Sequence, residues 1–315
     1  LSAKRKEAVE RSIASSLEYI FLHQSDDGSW VDCQLPPGWS DAWVTAYVGY
    51  KLRHVPGRLR RRTADSTLSA SKWLLGNQYP DGGWGYNREA GSDADSTAYA
   101  ILFLASEGID VQIRSYKLLM EFQCSDGGFS TYLATGRTDS WRVSHLDVTP
   151  VVLQALLTKY VRKTPFIKKG MEYVLKQRTA DGLWNSFWWD SFLYGTEVNL
   201  SLLDAIGARF DKTKTKESLF RVSPKNAFES ALLISCVLFI FTELGEPNVL
   251  ELVDQLVREQ GTDGSWKGVP IIRLTKNGCF EPWTCKDTGT LYPDPKRLIT
   301  TSTVLESLCK VYAQL

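Results

Sequence analysis

Histidine is scarce: His23, His54 and His145 are the only three in 315 residues. That leaves no material for a His-rich metal cage or an HExxH zinc site. The six cysteines (Cys33, Cys124, Cys236, Cys279, Cys285, Cys309) form no CxxC and no regular short spacing, so they are expected to be reduced and structural. An excess of one charge is also missing. Lys plus Arg number 37 against 36 Asp plus Glu, a net charge of +1, and this is not the basic field that holds nucleic-acid phosphates. The longest apolar run, Ala231 to Phe241, is about half of the roughly 20 residues a membrane span needs and reads as a buried helix. The opening Leu1-Ser-Ala-Lys-Arg-Lys is charged and leads into no apolar signal-peptide stretch, which makes a cytoplasmic location the expectation.

What is plentiful is tryptophan, 11 residues, beside 23 glycines. With 43% hydrophobic and 23% charged residues the chain is otherwise ordinary for a globular protein. A repeat accounts for much of the excess. Gln24-Ser-Asp-Asp-Gly-Ser-Trp30 recurs as Gln78-Tyr-Pro-Asp-Gly-Gly-Trp84, Gln123-Cys-Ser-Asp-Gly-Gly-Phe129 and Gln260-Gly-Thr-Asp-Gly-Ser-Trp266. A fifth copy, Gln177 to Trp184, carries one extra residue. Each copy follows a segment with helical apolar spacing, such as Ile13, Leu17, Ile20 and Phe21. The Asp-Gly pair supplies a tight turn, and the Gln amide and aromatic ring are placed to staple that turn to the next helix.

After each turn comes a second helix. Ser40-Asp-Ala-Trp-Val-Thr-Ala-Tyr47 and Ser92-Asp-Ala-Asp-Ser-Thr-Ala-Tyr99 share a pattern whose Thr45 and Thr97 align with Thr149 and Thr196. Apolar helices near 225–244 and 297–312 complete six inner partners, and outer partners are expected near 4–23, 64–77, 112–123, 164–176, 214–222 and 247–259. Six helical hairpins in series predict an all-α fold, an α6/α6 toroid occupying 1–315 as one domain. The Gly- and Pro-rich stretch 267–296 is long for a loop and is expected to act as a lid over the lumen.

The copies differ where packing alone would keep them alike. Asp41 and Asp93 precede helix starts and read as N-caps. Two residues before the shared Thr stand Trp43, Asp95, Asp147 and Tyr194, expected to form a ring facing the lumen. A carboxyl in a position where a sister copy has Trp is costly to bury, and burial that keeps it protonated makes it a proton donor to an apolar substrate. Helix capping is the competing role for Asp95 and Asp147.

These residues resemble those of a known family. The Gln-x-x-Asp-Gly-x-Trp copies are similar to the QW motifs of squalene-hopene and oxidosqualene cyclases and of class II diterpene cyclases. Gly91-Ser-Asp-Ala-Asp-Ser-Thr-Ala98 resembles their Asp-x-Asp-Asp-Thr-Ala motif, whose middle Asp is the general acid. The resemblance puts that role on Asp95, with Asp93, Ser96, Asp147 and His145 orienting it or restoring its proton. Asp147-Val-Thr resembles an Asp-Val-Thr-Ala-His segment, and Phe187-Trp-Trp-Asp-Ser-Phe-Leu-Tyr-Gly-Thr196 resembles a Trp-Gly-Val-Asn-Tyr-x-Tyr-Gly-Thr run of the hopene cyclases. Trp43, Trp84, Tyr99, Trp188, Trp189 and Tyr194 would then shape a cavity whose π faces stabilise carbocations.

Two departures stand out: Ser96 replaces the motif's last Asp, and Val151 stands where the hopene cyclases keep a His. The resemblance also covers only one of the two helical domains that those cyclases carry, so a lone toroid must close its own lumen, form a homodimer, or have lost its partner. It implies cyclisation of a small apolar isoprenoid by protonation of an alkene or epoxide, without a redox cofactor or resident metal. Magnesium enters only if the substrate is a diphosphate. The Asp-rich DDxxD of diphosphate-ionising synthases is missing.

Three other readings use the same material. One is an inactive toroid that binds a lipid or protein partner. Another is a zinc enzyme like the protein prenyltransferase β subunits, drawing on Asp32, Cys33, Cys279, Cys285 and His145. The basic run Lys51-Leu-Arg-His-Val-Pro-Gly-Arg-Leu-Arg-Arg-Arg62 suits a diphosphate, a membrane-peripheral contact or a solvated linker.

Overall fold

Strong apolar periodicity on some segments and all-round apolarity on others sorts the helices into two classes, and the computed structural model, which describes residues 2–133, 139–241 and 249–315, arranges them accordingly. The outer class comprises α1 (Ser2–Leu22), α4 (Ala64–Gly76), α6 (Ile113–Glu121), α8 (Pro165–Lys176), α10 (Thr213–Arg221) and α12 (Val249–Glu259), with a short α3 (Gly57–Arg60) before α4. The inner class comprises α2 (Ala42–Lys51), α5 (Ala94–Ser106), α7 (Thr149–Leu157), α9 (Phe192–Ala205), α11 (Ala227–Ile240) and α13 (Leu298–Tyr312). On α12 only Val249, Val253 and Leu256 are buried, one stripe, whereas nearly every residue of α5 and α13 is buried. The expected helices therefore appear within a few residues of their sequence positions. Residues 242–244 and 247–248 of the expected helices lie outside the described residues.

Each inner helix packs on the next: α2 on α5, α5 on α7, α7 on α9, α9 on α11 and α11 on α13, while α13 packs back on α2. The mostly helical chain has a toroid-type arrangement, with outer helices laid against the inner ones.

The repeated turns connect the two classes by a common set of hydrogen bonds. The Gln24 amide donates across its own turn to the Gly28 carbonyl and also to Ser66 O on the next outer helix; Gln123 does the same with Gly127 and Phe166. The ring acts backward rather than forward. Trp30, Trp84, Trp184 and Trp266 donate their indole N–H to Ile20, Leu74, Val174 and Leu256 at the ends of the preceding outer helices, satisfying carbonyls that a helix end leaves free. In the fifth copy Arg178, not Gln177, takes the amide's place. Its guanidinium donates to Gly182 O and to Thr215, so the extra residue falls before the turn and the spacing to Trp184 is normal. The turn glycine needs positive φ. At Gly264 (φ +87°) an added Cβ would stand 2.2 Å from Ser15 O of the neighbouring outer helix.

The shared threonines anchor the turns to the inner helices. Thr45, Thr97, Thr149, Thr196 and Thr301 accept the backbone N–H of the turn aromatic, and Thr45, Thr97 and Thr196 return their hydroxyl proton to that residue's carbonyl.

Two short antiparallel pairs were not expected from the sequence. β1 (Asp32–Leu35) pairs with β2 (Gly38–Ser40), and β3 (Pro270–Thr275) pairs with β4 (Gly289–Pro293). Much of the expected loop 267–296 is therefore a hairpin. Its end is crossed by a Cys279–Cys285 disulfide, which corrects the expectation that all six cysteines are reduced. The pairing also removes both thiols from any zinc scheme. Nor is Asp32-Cys33 a free ligand pair: the Asp32 carboxylate accepts the backbone N–H of Cys33, Lys296 and Leu298, and burial pushes the Cys33 thiol up to about 12.

Toward the C-terminal ends of α2 and α13 lies a buried charge cluster that the sequence reading missed. Glu306 meets Lys51 at 2.6 Å and Arg53 at 2.7 Å, and Lys310 bridges Glu306 and Glu197. Burial alone would raise the Glu306 pKa, but Lys310, Lys51 and Arg53 hold it well below the usual range. Three more cations of the basic run are paired: Arg58 with Glu10, Arg60 with Glu107 and Arg62 with Glu18. His54, Arg58, Arg61 and Arg62 are nonetheless exposed, as a solvated linker requires.

Two stability measurements check this construction. Thr149→Val leaves the buried Phe129 N–H unpaired and is expected to cost about 1–3 kcal/mol in urea unfolding. Glu306→Gln strands Lys51 in the interior and is expected to cost about 3–5 kcal/mol, with no gain from added salt.

Candidate active site

At the first turns of the inner helices a cavity of about 190 Å³ opens, bounded by aromatic and aliphatic side chains. Three parts of the chain build it. Helices α2 and α5 contribute Trp43, Asp93, Asp95 and Ser96; the stretches between helices contribute Tyr86, Thr131, Tyr132, Trp141, Trp188 and Trp189. The third part is hairpin and turn: Ile272 and Leu274, alternate residues on one face of β3, and Leu35, Pro36 and Pro37 at the β1–β2 turn.

Asp95 faces this cavity. The hydrogen bond that its carboxyl makes among the described residues comes from the Trp43 indole N–H, 2.8 Å to Oδ2. Desolvation by the surrounding apolar walls raises its pKa well above the ordinary value, Asp93 adds like-charge repulsion, and the Trp43 hydrogen bond only partly opposes them. Asp93 has a different environment. It caps α5, taking the Ser96 N–H on Oδ1 and the Ser96 hydroxyl on Oδ2, each at 2.7 Å. Burial pushes it up to about 6 while those hydrogen bonds oppose the rise. Ser96 therefore serves Asp93, and Asp41 likewise caps α2 through Ala42 N–H.

Below Trp43 and Asp95 the interior is filled. Tyr47 and Tyr99 lie one helical turn further along α2 and α5, and the Tyr99 hydroxyl meets that of Tyr194 at 2.6 Å. Tyr194 stacks on Trp189 with ring centroids 3.9 Å apart, and Phe228 stacks on the same indole at 5.4 Å. Trp43, Tyr47 and Lys51 follow one another at four-residue spacing, so the cavity rests on an aromatic layer and that layer on the buried charges.

The expected ring of Trp43, Asp95, Asp147 and Tyr194 is therefore only half formed at the cavity. Trp43 and Asp95 are in it. Tyr194 lies beneath it, as does Tyr99. Asp147 faces backbone instead: Oδ2 accepts the N–H groups of Phe187 (2.8 Å) and Trp188 (2.7 Å), while Oδ1 is buried without a partner among the described residues. Burial pushes Asp147 up to about 6 against those hydrogen bonds. Trp84 is fully committed to its turn and does not line the cavity. His145 bonds neither Asp95 nor Asp147. Its ring nitrogens meet Thr131 Oγ1 and Ser140 O, each at 2.8 Å, and burial lowers its pKa to about 4, so the imidazole is neutral.

Tyr86, Thr131, Tyr132, Trp141, Ile272, Leu274 and the Leu35-Pro-Pro37 turn were missed. They come from segments without helical periodicity, and no local pattern in the sequence marks them.

Comparison with known proteins gives the same outline. No protein-family model matches the chain. The squalene–hopene cyclase of Alicyclobacillus acidocaldarius is 24% identical over 180 residues, covering 45% of this chain and 28% of that one, so the chain spans less than a third of this curated relative. Among solved structures, a variant of the type II terpene cyclase MstE from Scytonema in complex with geranylgeranyl dihydroxybenzoate, its substrate, superposes with a TM-score of 0.85 at 22% identity. That match covers 99% of this chain and 100% of the other. Another MstE variant, bound to merosterolic acid A as product, gives 0.85 at 21% and covers all of both chains. The ent-copalyl diphosphate synthase from Streptomyces platensis gives 0.62 at 16%, covering 85% of this chain and 50% of that one. In its fold this chain is a type II terpene cyclase-like protein.

Proposed function

We propose that the chain is a class II terpene cyclase-like enzyme that protonates an isoprenoid alkene or epoxide and cyclises it through carbocations. The observation that carries this reading is Asp95: a carboxyl with a strongly raised pKa, at the wall of an aromatic cavity, with one indole N–H as its hydrogen-bond partner. The likeness to MstE, which binds a geranylgeranyl-bearing substrate, supports an apolar isoprenoid as the reactant.

In this mechanism Asp95 reacts in its neutral form and carries its proton on Oδ1, leaving Oδ2 to accept from Trp43. Proton transfer to the terminal alkene carbon, or to an epoxide oxygen, leaves a carboxylate and a carbocation. The Trp43 N–H stabilises the carboxylate as charge develops, and the faces of Trp43, Trp188 and Trp189 stabilise the cation while remaining double bonds attack it in turn. Loss of a proton or capture of water ends the sequence, and Asp95 regains a proton from solvent. With proton loss the reaction is an isomerisation, with no net change in atoms. Asp93 and Ser96 hold the start of α5 and keep a like charge beside the acid. Asp147 holds the segment bearing Trp188, which is a positioning role. The hairpin face with Ile272 and Leu274 excludes water from the cation.

The same proposal takes the six helix pairs as a closed α6/α6 toroid with QW-type turns, and the one domain as sufficient for turnover. A lipid-binding toroid without chemistry is the competing class, and Asp95 separates the two. Asp95→Asn is expected to lower turnover by about 10²–10⁴-fold while a substrate analogue still binds, measured by product assay and calorimetry. Unchanged turnover overturns the assignment.

The pH dependence has a fixed sign. The acid must be protonated to act, so activity is full below the raised Asp95 pKa and falls as pH rises through it. Asp93, titrating at about 6, is charged at pH 7 and contributes to that rise. Asp93→Asn, which keeps an N-cap acceptor, is expected to move the alkaline limb of the rate profile to lower pH.

A further inference from the structure

His145 is buried, neutral and within two residues of Asp147, yet the acid does not use it. Its hydrogen bonds run elsewhere. The Trp188 indole N–H donates to Thr131 Oγ1 at 2.7 Å, and the same oxygen meets His145 Nδ1 at 2.8 Å. On the other side of the ring, Nε2 meets the Ser140 carbonyl at 2.8 Å.

The directions of these bonds are forced by the partners. A carbonyl only accepts, so Nε2 carries the hydrogen. An indole N–H only donates, so Thr131 accepts from Trp188 and turns its own hydroxyl proton to Nδ1. A second N–H on the imidazole would reverse that bond and turn the Thr131 hydroxyl proton away from the ring. Phe187 stacks on the imidazole with centroids 3.9 Å apart and a 16° interplanar angle, and Trp188 stands edge-on to both rings. The backbone of the same dipeptide is gripped by Asp147 through Phe187 N–H and Trp188 N–H, and Arg273 N–H donates to Trp188 O at 2.6 Å. Residues 145 and 147 thus hold one dipeptide at two levels: the carboxylate fixes its backbone, and the histidine, through Thr131, fixes its indole.

We propose that His145 is a positioning residue that locks the Trp188 indole into the cavity wall through Thr131, and that it governs which products form rather than how fast the first proton is delivered. The physical reason is that a cation–π contact depends on ring position. Trp188 is half-buried, and its indole N–H has Thr131 as its partner. If the indole turns, the face offered to a later cation is lost, and that cation sheds its proton early. Initiation at Asp95 is a separate event. The product half of this inference rests on the proposed cyclase reading; the clamp itself does not.

The test uses the full chain with ¹⁵N-labelled tryptophan and three variants. His145→Phe keeps the stack on Phe187 but removes both ring hydrogen bonds, Thr131→Val cuts the relay at its centre, and His145→Asn restores an acceptor toward Thr131. Exchange of the Trp188 indole hydrogen is expected to quicken at least about tenfold in H145F and T131V and to stay near the starting rate in H145N. In turnover, the first two variants are expected to raise prematurely deprotonated products several-fold. They are expected to slow substrate consumption by no more than about tenfold, with the alkaline limb of the rate profile unmoved, and H145N keeps the original product ratio. A loss of consumption as large as that of D95N, or a shifted alkaline limb, in H145F would mean that His145 serves the acid and overturns the proposal. Unchanged indole exchange in folded H145F overturns it as well. If the unsubstituted protein turns over no isoprenoid, the cyclase reading fails, and indole exchange still decides the clamp.

Discussion

The structure depends on a short reciprocal contact repeated around the ring: an inner-helix threonine that accepts the N–H of a turn aromatic and, in three copies, returns its hydroxyl proton to the same residue. Each contact pins one inner helix in rotation and height against the turn that leads into it. Everything two residues upstream is then aimed by helix geometry. On α2 that residue is Trp43 and on α5 it is Asp95, and their hydrogen bond across the two helices follows from two threonines being held in equivalent places. A slip of one residue on α5 would rotate the acid by about 100° and away from the cavity, and a slip on α2 would do the same to Trp43.

Above this frame, chemistry is separated from stability by layers. The top layer has Asp95, its neighbour Asp93 and the aromatic walls; the next is the Tyr47, Tyr99, Tyr194 and Trp189 cluster; the lowest is the Glu306 ion network. Two ways of burying charge are therefore present in one interior. Glu306 stays ionised because Lys51, Arg53 and Lys310 surround it, whereas Asp95 has no cation among its pKa-shifting neighbours in the described residues and is driven toward the neutral form. The first arrangement holds helices together. The second favours a protonated carboxyl in contact with apolar surface, which is what the proposed protonation of an unreactive double bond requires.

Much of the frame was legible in the sequence because it repeats. The copies of Asp-Gly-aromatic mark the turns, apolar spacing marks the helices, and the alignment on Thr45 and Thr97 exposes Asp95 in a place where its sister copy has Trp43. The exceptions have physical causes. Arg178 replaces the glutamine of its turn because a guanidinium presents the same donors, so spacing counted from Gln177 was off by one. Asp147 satisfies the sequence pattern of a lumen residue, yet the backbone of Phe187 and Trp188 reaches it first. Trp84 has the chemistry of a cavity wall but is fixed by its indole hydrogen bond to Leu74. The hairpin residues Ile272 and Leu274, the Leu35-Pro-Pro37 turn and the Cys279–Cys285 link come from non-helical stretches, where no periodicity announces which side chain faces inward. The ion pairs of the Lys51 to Arg62 run were not legible because its acidic partners, Glu10, Glu18, Glu107 and Glu306, are distant in sequence.

The protonation state of Asp95 is the centre of this account, and infrared difference spectroscopy of the unsubstituted protein against Asp95→Asn at pH 7 reads it directly. A protonated-carboxyl C=O band that is present in the first and missing in the second is the expected result. A carboxylate band lost on substitution, with no change in the protonated region, would contradict it.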